Sequence, residues 1–446
     1  MERFFRMGVA AGGMVASAAF DGARRLASGE VPELPDLLFT PTNAAALASR
    51  LSHMRGAAMK LGQLLSLEGG AFLPPALSEA LAMLGASADT MTPGQLRRVL
   101  EREYGRGWRE NFSWFDERPI ASASIGQVHR AQACDGRPLA IKVQFPGVAE
   151  SIRGDVDNLA ILVRLSGLVP AKFDLGPLLD EVRQQLLAET DYVKEAASLD
   201  RYRGLVRDEE HVKLPAPHVD LTTRRVLAMD FLSAAPISSL WEESHTQELR
   251  DRIGTLAQRL VLREIFEFRF MQSDPNFANF QVDPHARDLV LLDFGSMIEI
   301  SEELSSRYRQ LIAATVENCS ASVQDLIVEF GWVGPEDEPQ QVEKLVEFLL
   351  LATEPLRSNG PYDYGASDLA ARAQNVGMEL AFAEGMRRPP PPELVFINRK
   401  LAGTFLLCAQ LGARVDTAAI AMTALEGPPT ALREPPGEEG RQECGA

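Results

Sequence analysis

The chain has 446 residues, of which 46% are hydrophobic and 24% charged, an ordinary balance for a folded protein and enough length to bury a sizeable core in two or three lobes. Its net charge of −17 argues against non-specific binding to nucleic acid, which needs a basic footprint. The four cysteines, Cys134, Cys319, Cys408 and Cys444, show neither a metal-type spacing nor a dense framework, so they read as reduced thiols of a cytosolic compartment.

At the N-terminus, Arg3 and Arg6 precede a weakly apolar run from Met7 to Phe20, followed by Arg24 and Arg25. An export signal has a similar outline. The run is built of Ala and Gly rather than Leu, and as a helix it would span about 21 Å, short of a hydrocarbon core of roughly 30 Å. Gly8 and Gly12 form a small-xxx-small step that lets helices approach closely in lipid, so membrane contact and a locally packed helix are equally good readings. No other segment reads as a membrane span. The expected location is cytoplasmic, peripheral on the membrane if residues 7–20 engage lipid.

After a linker around Pro32 and Pro35, Thr42 or Asn43 caps a helix through Leu64. A second helical stretch runs from about Pro75 to Leu84, and Thr92-Pro93 opens a third through Glu103. Residues 1–40 thus form an Ala/Gly-rich segment and linker, and 41–118 a helical extension. From Pro119 the pattern turns to β, with Ile125 to Ala133, an Asp135-Gly136 turn and Pro138 to Val143 predicting a hairpin. Helical patterns follow over Val148 to Leu165 and Leu175 to Leu205, then a β-like run from Arg225 to Met229, which closes a small lobe over 119–233. Residues 234–426 are mostly helical. Pro389 to Pro392 reads as a stiff linker, and 427–446, rich in Pro, Gly and Glu, as a disordered tail.

The helical pattern of the last lobe is interrupted by Asp274-Pro275-Asn276-Phe277-Ala278-Asn279, an apolar run from Leu289 to Leu292, and Asp293-Phe294-Gly295. In phosphoryl transfer of the kinase type, an Asp orients the attacking hydroxyl, while an Asn five residues later and the Asp of an Asp-Phe-Gly hold magnesium against the phosphates. Asp274, Asn279 and Asp293 have that order and spacing. Upstream, Leu139-Ala140-Ile141-Lys142 ends an apolar strand in a lysine suited to the nucleotide's first two phosphates. Each piece alone also reads as a turn, a strand exit or a surface charge; four in the right order do not. Where a glycine-rich phosphate cover is expected, the chain has Ala121-Ser122-Ala123-Ser124-Ile125-Gly126, and alanine there restricts φ and brings methyl groups near the nucleotide. Asp293-Phe294-Gly295 is followed closely by a helix start at Ser301-Glu302-Glu303-Leu304, with no Ala-Pro-Glu anchor for a peptide platform.

Met54-Arg55-Gly56-Ala57-Ala58-Met59-Lys60-Leu61-Gly62-Gln63 carries a Lys-x-Gly-Gln signature, Glu189-Thr190-Asp191 a Glu-x-Asp signature, and Gln272-Ser273-Asp274 stands in place of His-Arg-Asp. With the Ala-rich loop, this combination resembles the UbiB/AarF/ADCK group of atypical protein-kinase-like proteins over most of the chain, with Ser122 departing from the alanine many members carry. The resemblance implies an α+β, two-lobe atypical protein-kinase-like fold with the N-terminal helical extension over the active site. It implies ATP and Mg²⁺ as cofactors, with Asp274 catalytic, Asn279 and Asp293 on the metal, and Ala121 to Ser124 against the nucleotide. Lys142 would pair with a helix carboxylate, Glu195 first and Glu189 second. Lys60 and Gln63 would gate the cleft with the Glu189 and Asp191 region, and Met229 would precede a hinge, Asp230 to Leu232, whose backbone receives adenine. The expected activity is a magnesium-dependent ATPase or a small-molecule or lipid kinase supporting isoprenoid-quinone (ubiquinone) biosynthesis or membrane-lipid homeostasis, with a lipid or quinone precursor as ligand. The alternatives are a nucleotide-gated scaffold without phosphoryl transfer and, less well supported, a conventional protein kinase.

Overall fold

The computed structural model describes residues 90–165, 176–242, 245–274, 276–335, 337–382 and 392–426. The segment 1–40, Lys60 and Gln63 with the extension before residue 90, Pro389 to Pro391 and the tail 427–446 lie outside the described residues. The chain divides into two units, one formed by Met1–Ser239 and Gln272–Met297, the other by Leu240–Met271 and Ile298–Ala446.

In the first unit, α1 (Pro93–Tyr104) starts at Thr92, whose hydroxyl accepts the Gln95 amide while the Gln95 side chain returns to the Thr92 backbone. Its buried Leu96, Val99 and Leu100 pack with Trp108 and Phe112 against an antiparallel sheet of β1 (Phe112–Ser122), β2 (Gly126–Ala133), β3 (Pro138–Gln144) and β5 (Val226–Asp230), ordered β1-β2-β3-β5. The predicted hairpin is β2–β3, with Gly136 at φ 91° in its turn. β3 is buried from Leu139 to Gln144, as its central place requires.

Two expectations need correcting. The sheet begins at Phe112 rather than after Pro119, because Phe112 and Phe115 pack edge-to-face on Trp108 and commit that segment to the core. Pro119 sits inside β1, on the sheet edge and between register shifts, where its missing N–H breaks no ladder. The helix expected over Leu175 to Leu205 is two helices, α3 (Gly176–Ala188) and α4 (Tyr192–Leu205), preceded by α2 (Val148–Leu165). Glu189-Thr190-Asp191 breaks it: the Asp191 carboxylate accepts the Lys194 N–H and caps α4, and Gln144 Nε2 donates to the Thr190 carbonyl at 2.8 Å.

A second sheet in this unit, ordered β4-β9-β8-β6, joins β4 (Val212–Lys213), β6 (Ala235–Pro236), β8 (Phe280–Asp283) and β9 (Asp288–Leu291), with β4 parallel to β9 and the rest antiparallel. β7 (Phe270–Gln272) leads into the Asp274 loop.

The second unit is helical: α5 (Gln247–Arg263), α6 (Glu302–Val316), α7 (Ser320–Glu329), α8 (Pro339–Ala352), α9 (Leu369–Phe382), α10 (Pro392–Leu411) and α11 (Thr417–Glu426). Val261, Leu311, Ile327, Val346 and Ile397 share one core. Contrary to the sequence expectation, Leu394–Leu411 of α10 does reach the length and mean hydropathy, 1.3, of a membrane span. Half of that stretch is nevertheless buried within the protein, and Arg399 and Lys400 are buried in it, Lys400 Nζ lying 3.3 Å from Glu264 Oε2. A buried ion pair midway along α10 marks it as a core helix of this unit.

Candidate active site

The candidate site residues that the structure describes all fall in the first unit, and the geometry centres on Lys142. β3 presents its ammonium 2.8 Å from Glu195 Oε1, in the first turn of α4, and 3.0 Å from Asp293 Oδ2. Burial alone would lower the Lys142 pKa, but Asp293 and Glu195 together hold it well above the usual lysine value. Burial also pushes the Glu195 carboxyl up to about 7, against the pull of the ammonium. Glu195 is therefore the helix carboxylate of the pair. Glu189, the second candidate, does not meet Lys142: its Oε2 accepts from Ser124 Oγ at 2.5 Å and its Oε1 from Ser296 Oγ at 3.4 Å, tying the Ala-rich loop to the residue after Asp293-Phe294-Gly295. Asp191 serves as the α4 cap.

Asp274 and Asn279 are buried, and Asn279 Nδ2 donates to Asp274 Oδ2 at 3.3 Å. Ser273 donates through both its N–H and its hydroxyl to the Ser296 carbonyl, at 2.8 and 2.9 Å. Gln272 Nε2 donates to the Asp293 carbonyl, so the Gln that stands where His is expected fastens the Asp274 loop to the Asp293-Phe294-Gly295 segment. Asp293 Oδ1 accepts the Gly295 N–H at 3.0 Å, and buried Phe294 packs on Tyr202 of α4 with ring centroids 5.2 Å apart. Asp274, Asn279 and Asp293 are thus held by one network, joined by the Leu292 N–H to the Asn279 carbonyl at 3.3 Å.

The donor set fits magnesium. With its amide nitrogen given to Asp274, Asn279 offers its oxygen, and Asp293 adds a carboxylate; hard oxygen donors of this number suit a cation that completes its shell with phosphate and water. Among the described residues no three His, Cys, Asp or Glu side chains gather into a closed metal cage.

The Ala-rich loop begins as the end of β1, with Ala121 and Ser122 paired to Val128 and Gln127, and turns tightly as the Ala123 N–H meets the Gly126 carbonyl at 2.9 Å. A side chain at Gly126 would place its Cβ 2.4 Å from the Val143 carbonyl oxygen, so the loop's single glycine is set by close approach to β3. At the expected hinge, Met229 is buried and the Asp230 N–H is taken by the Ala216 carbonyl at 2.9 Å. The Asp230 carboxylate accepts from His218 Nε2 and the Ala216 N–H, at 2.8 and 2.9 Å, while Arg137 Nη1 donates to His218 Nδ1 at 2.6 Å. Leu232 follows, half-buried. Sequence reasoning missed Ser296, the side-chain role of Gln272 and the Arg137–His218–Asp230 chain, because each acts through a partner far away in sequence.

The sequence matches the ABC1 atypical kinase-like domain over residues 83–327. It is 36% identical over 376 residues to atypical kinase COQ8B, mitochondrial, of Rattus norvegicus, covering 84% of this chain and 70% of that protein. It is 33% identical over 421 residues to atypical kinase COQ8, mitochondrial, of Saccharomyces cerevisiae, covering 94% and 83%. Across four such curated relatives the chain spans 52% to 83% of their length. The structure of Rv3197 with erythromycin from Mycobacterium tuberculosis superposes with a TM-score of 0.59 at 25% identity, covering 85% of this chain and 94% of that one.

Proposed function

Because the chain belongs to the ABC1 atypical kinase-like family and has its kinase-like fold of helices and strands, we propose that it is a magnesium-dependent ATPase or a small-molecule or lipid kinase that supports isoprenoid-quinone biosynthesis. The observation that carries this proposal is the Lys142 ammonium held at once by Glu195 and Asp293, the arrangement of a phosphate-binding lysine beside a metal-binding carboxylate. Lys142 faces the phosphates, Glu195 keeps it in place, and the Ala-rich loop covers them. Asp274, oriented by Asn279, accepts the proton of the acceptor hydroxyl or of water. Asn279 and Asp293 would hold magnesium, which when bound would neutralise phosphate charge. The quinone assignment draws on the names of the COQ8 relatives, and so does the choice of a lipid or phenolic ligand over a polypeptide, which the missing Ala-Pro-Glu anchor also disfavours. Peripheral contact with a membrane through residues 7–20, on the cytoplasmic side, belongs to the same proposal; deleting them should abolish liposome co-sedimentation.

The test is Mg-dependent ATP hydrolysis, with and without liposomes and a phenolic quinone-precursor mimic, alongside Asp293→Asn. Turnover that requires Asp293 and rises with lipid or phenol is the expected result. Nucleotide binding without turnover under every condition would overturn it in favour of a nucleotide-gated scaffold.

A further inference from the structure

Tyr192 is the first residue of α4, one turn before Glu195, and it is fully buried. Its position is fixed from both sides: the preceding Asp191 caps the helix, and its own N–H donates to the Arg224 carbonyl at 3.1 Å. The ring lies under the Lys142 ammonium, with Nζ 5.2 Å from the ring centroid, within the range of a cation–π contact. Its hydroxyl reaches the end of the Ala-rich loop, where a Cβ on Gly126 would lie 3.0 Å from it. Among the described residues that hydroxyl has no hydrogen-bond partner, although burying one unpaired is unfavourable and phenylalanine would fill the same space without that cost.

From this placement we propose that Tyr192 is a positioning residue that couples the phosphate-binding lysine to the loop above it. The ring forms an apolar wall of the Lys142 cage beside the two carboxylates and limits the directions in which the ammonium can turn. The hydroxyl waits beneath Gly126 as the contact for the loop when it closes over phosphates. One aromatic side chain therefore sets both the lysine and the cover, which the alanines of the loop do not do for themselves. The role of the hydroxyl rests on the nucleotide-binding activity proposed above; the hold of the ring on Lys142 does not.

The test compares Tyr192→Phe with Tyr192→Leu in the full chain, by two measurements. The first is the rate at which a small amine-reactive reagent labels Lys142 without nucleotide, read by peptide mass spectrometry. The second is kcat and KM for Mg–ATP. Tyr192→Leu should label Lys142 about tenfold faster and lose kcat by a similar factor, the scale of a desolvated cation–π contact. Tyr192→Phe should label at the wild-type rate and keep kcat while KM rises severalfold. Wild-type labelling in Tyr192→Leu, or equal losses in both variants, would overturn the proposal. If the labelling pattern holds but wild type neither binds nor hydrolyses ATP, the ATPase assignment falls and the ring's hold on Lys142 stands.

Discussion

Replacing Glu195 by Gln sets two opposing effects against each other in the Lys142 cage. Removing one partner of a buried ion pair ordinarily costs about 3–5 kcal/mol, because the other charge is left uncompensated. Lys142, however, keeps Asp293 at 3.0 Å, and the amide retains an oxygen for the hydrogen bond that spans 2.8 Å in the wild type. Against this stands the cost of ionising Glu195, whose carboxyl is pushed by burial from 4.5 to about 7 even with the ammonium beside it. A carboxyl raised in this way binds its proton more tightly in the folded state. Its contribution to stability is complete below 4.5 and is lost as pH rises through about 7, by about 3 kcal/mol in all. Gln carries no such cost. The variant should therefore be as stable as wild type or up to about 3 kcal/mol more stable at about pH 8, and the gap should narrow towards about pH 5. Turnover should still fall, on the order of a hundredfold, since the fixed negative charge that orients Lys142 is gone. Urea denaturation at the two pH values, with ATP hydrolysis measured in parallel, reads both effects. A variant about 3 kcal/mol or more less stable than wild type at the higher pH would show instead that the pair is worth more than its ionisation costs.

Two further perturbations test the sheet around the cage. Gly126→Ala drives a methyl into the Val143 carbonyl, so β2 and β3 must part, at a cost of about 1–3 kcal/mol and with weaker nucleotide binding; a variant with wild-type stability and affinity would show that the strands yield freely. His129 is fully buried in a chain from the Met91 N–H through Gln127 to the imidazole and on to the Asp116 carbonyl, and burial lowers its pKa despite that last bond. Its contribution to stability is present above the unfolded value of 6.5 and is lost as pH falls below it, at no more than about 1.4 kcal/mol per pH unit. Subtracting the stability of His129→Asn from that of wild type across this window removes the opposite slope of Glu195, and a flat difference would count against the buried neutral imidazole.

The gathering of Asp274, Asn279, Asp293 and Lys142 was legible in the sequence because a kinase-type motif dictates both residue type and spacing, and the pairing of Glu195 with Lys142 because Glu195 falls within a long helical pattern. The hairpin and α2 were legible for a different reason, as turn chemistry and apolar periodicity are local. What could not be read depends on partners far along the chain. Ser124 and Glu189 are 65 residues apart, and nothing near Glu189 announces that it will hold the loop rather than the lysine. The α3–α4 break was hidden because its apolar spacing continues across Thr190, and the Asp191 cap is recognisable only once the helix is known to restart. At β1, a proline usually read as a boundary sits on an edge strand where it is harmless, so the strand starts well before the point that proline suggests.

The order in which the chain supplies the cage has a consequence for biosynthesis. β1, β2, β3, β5 and α4 all precede Leu240, so the first sheet can form with Lys142 and Glu195 already side by side. Asp293 and the parallel pairing of β4 with β9 come only after the chain has made Leu240–Met271 of the second unit and returned. Closing so long a loop is slow, and domains emerging from the ribosome fold before it can be closed. A nascent chain thus carries Lys142 beside Glu195 and without Asp274, Asn279 and Asp293, so whatever requires the complete cage waits until synthesis has passed residue 293.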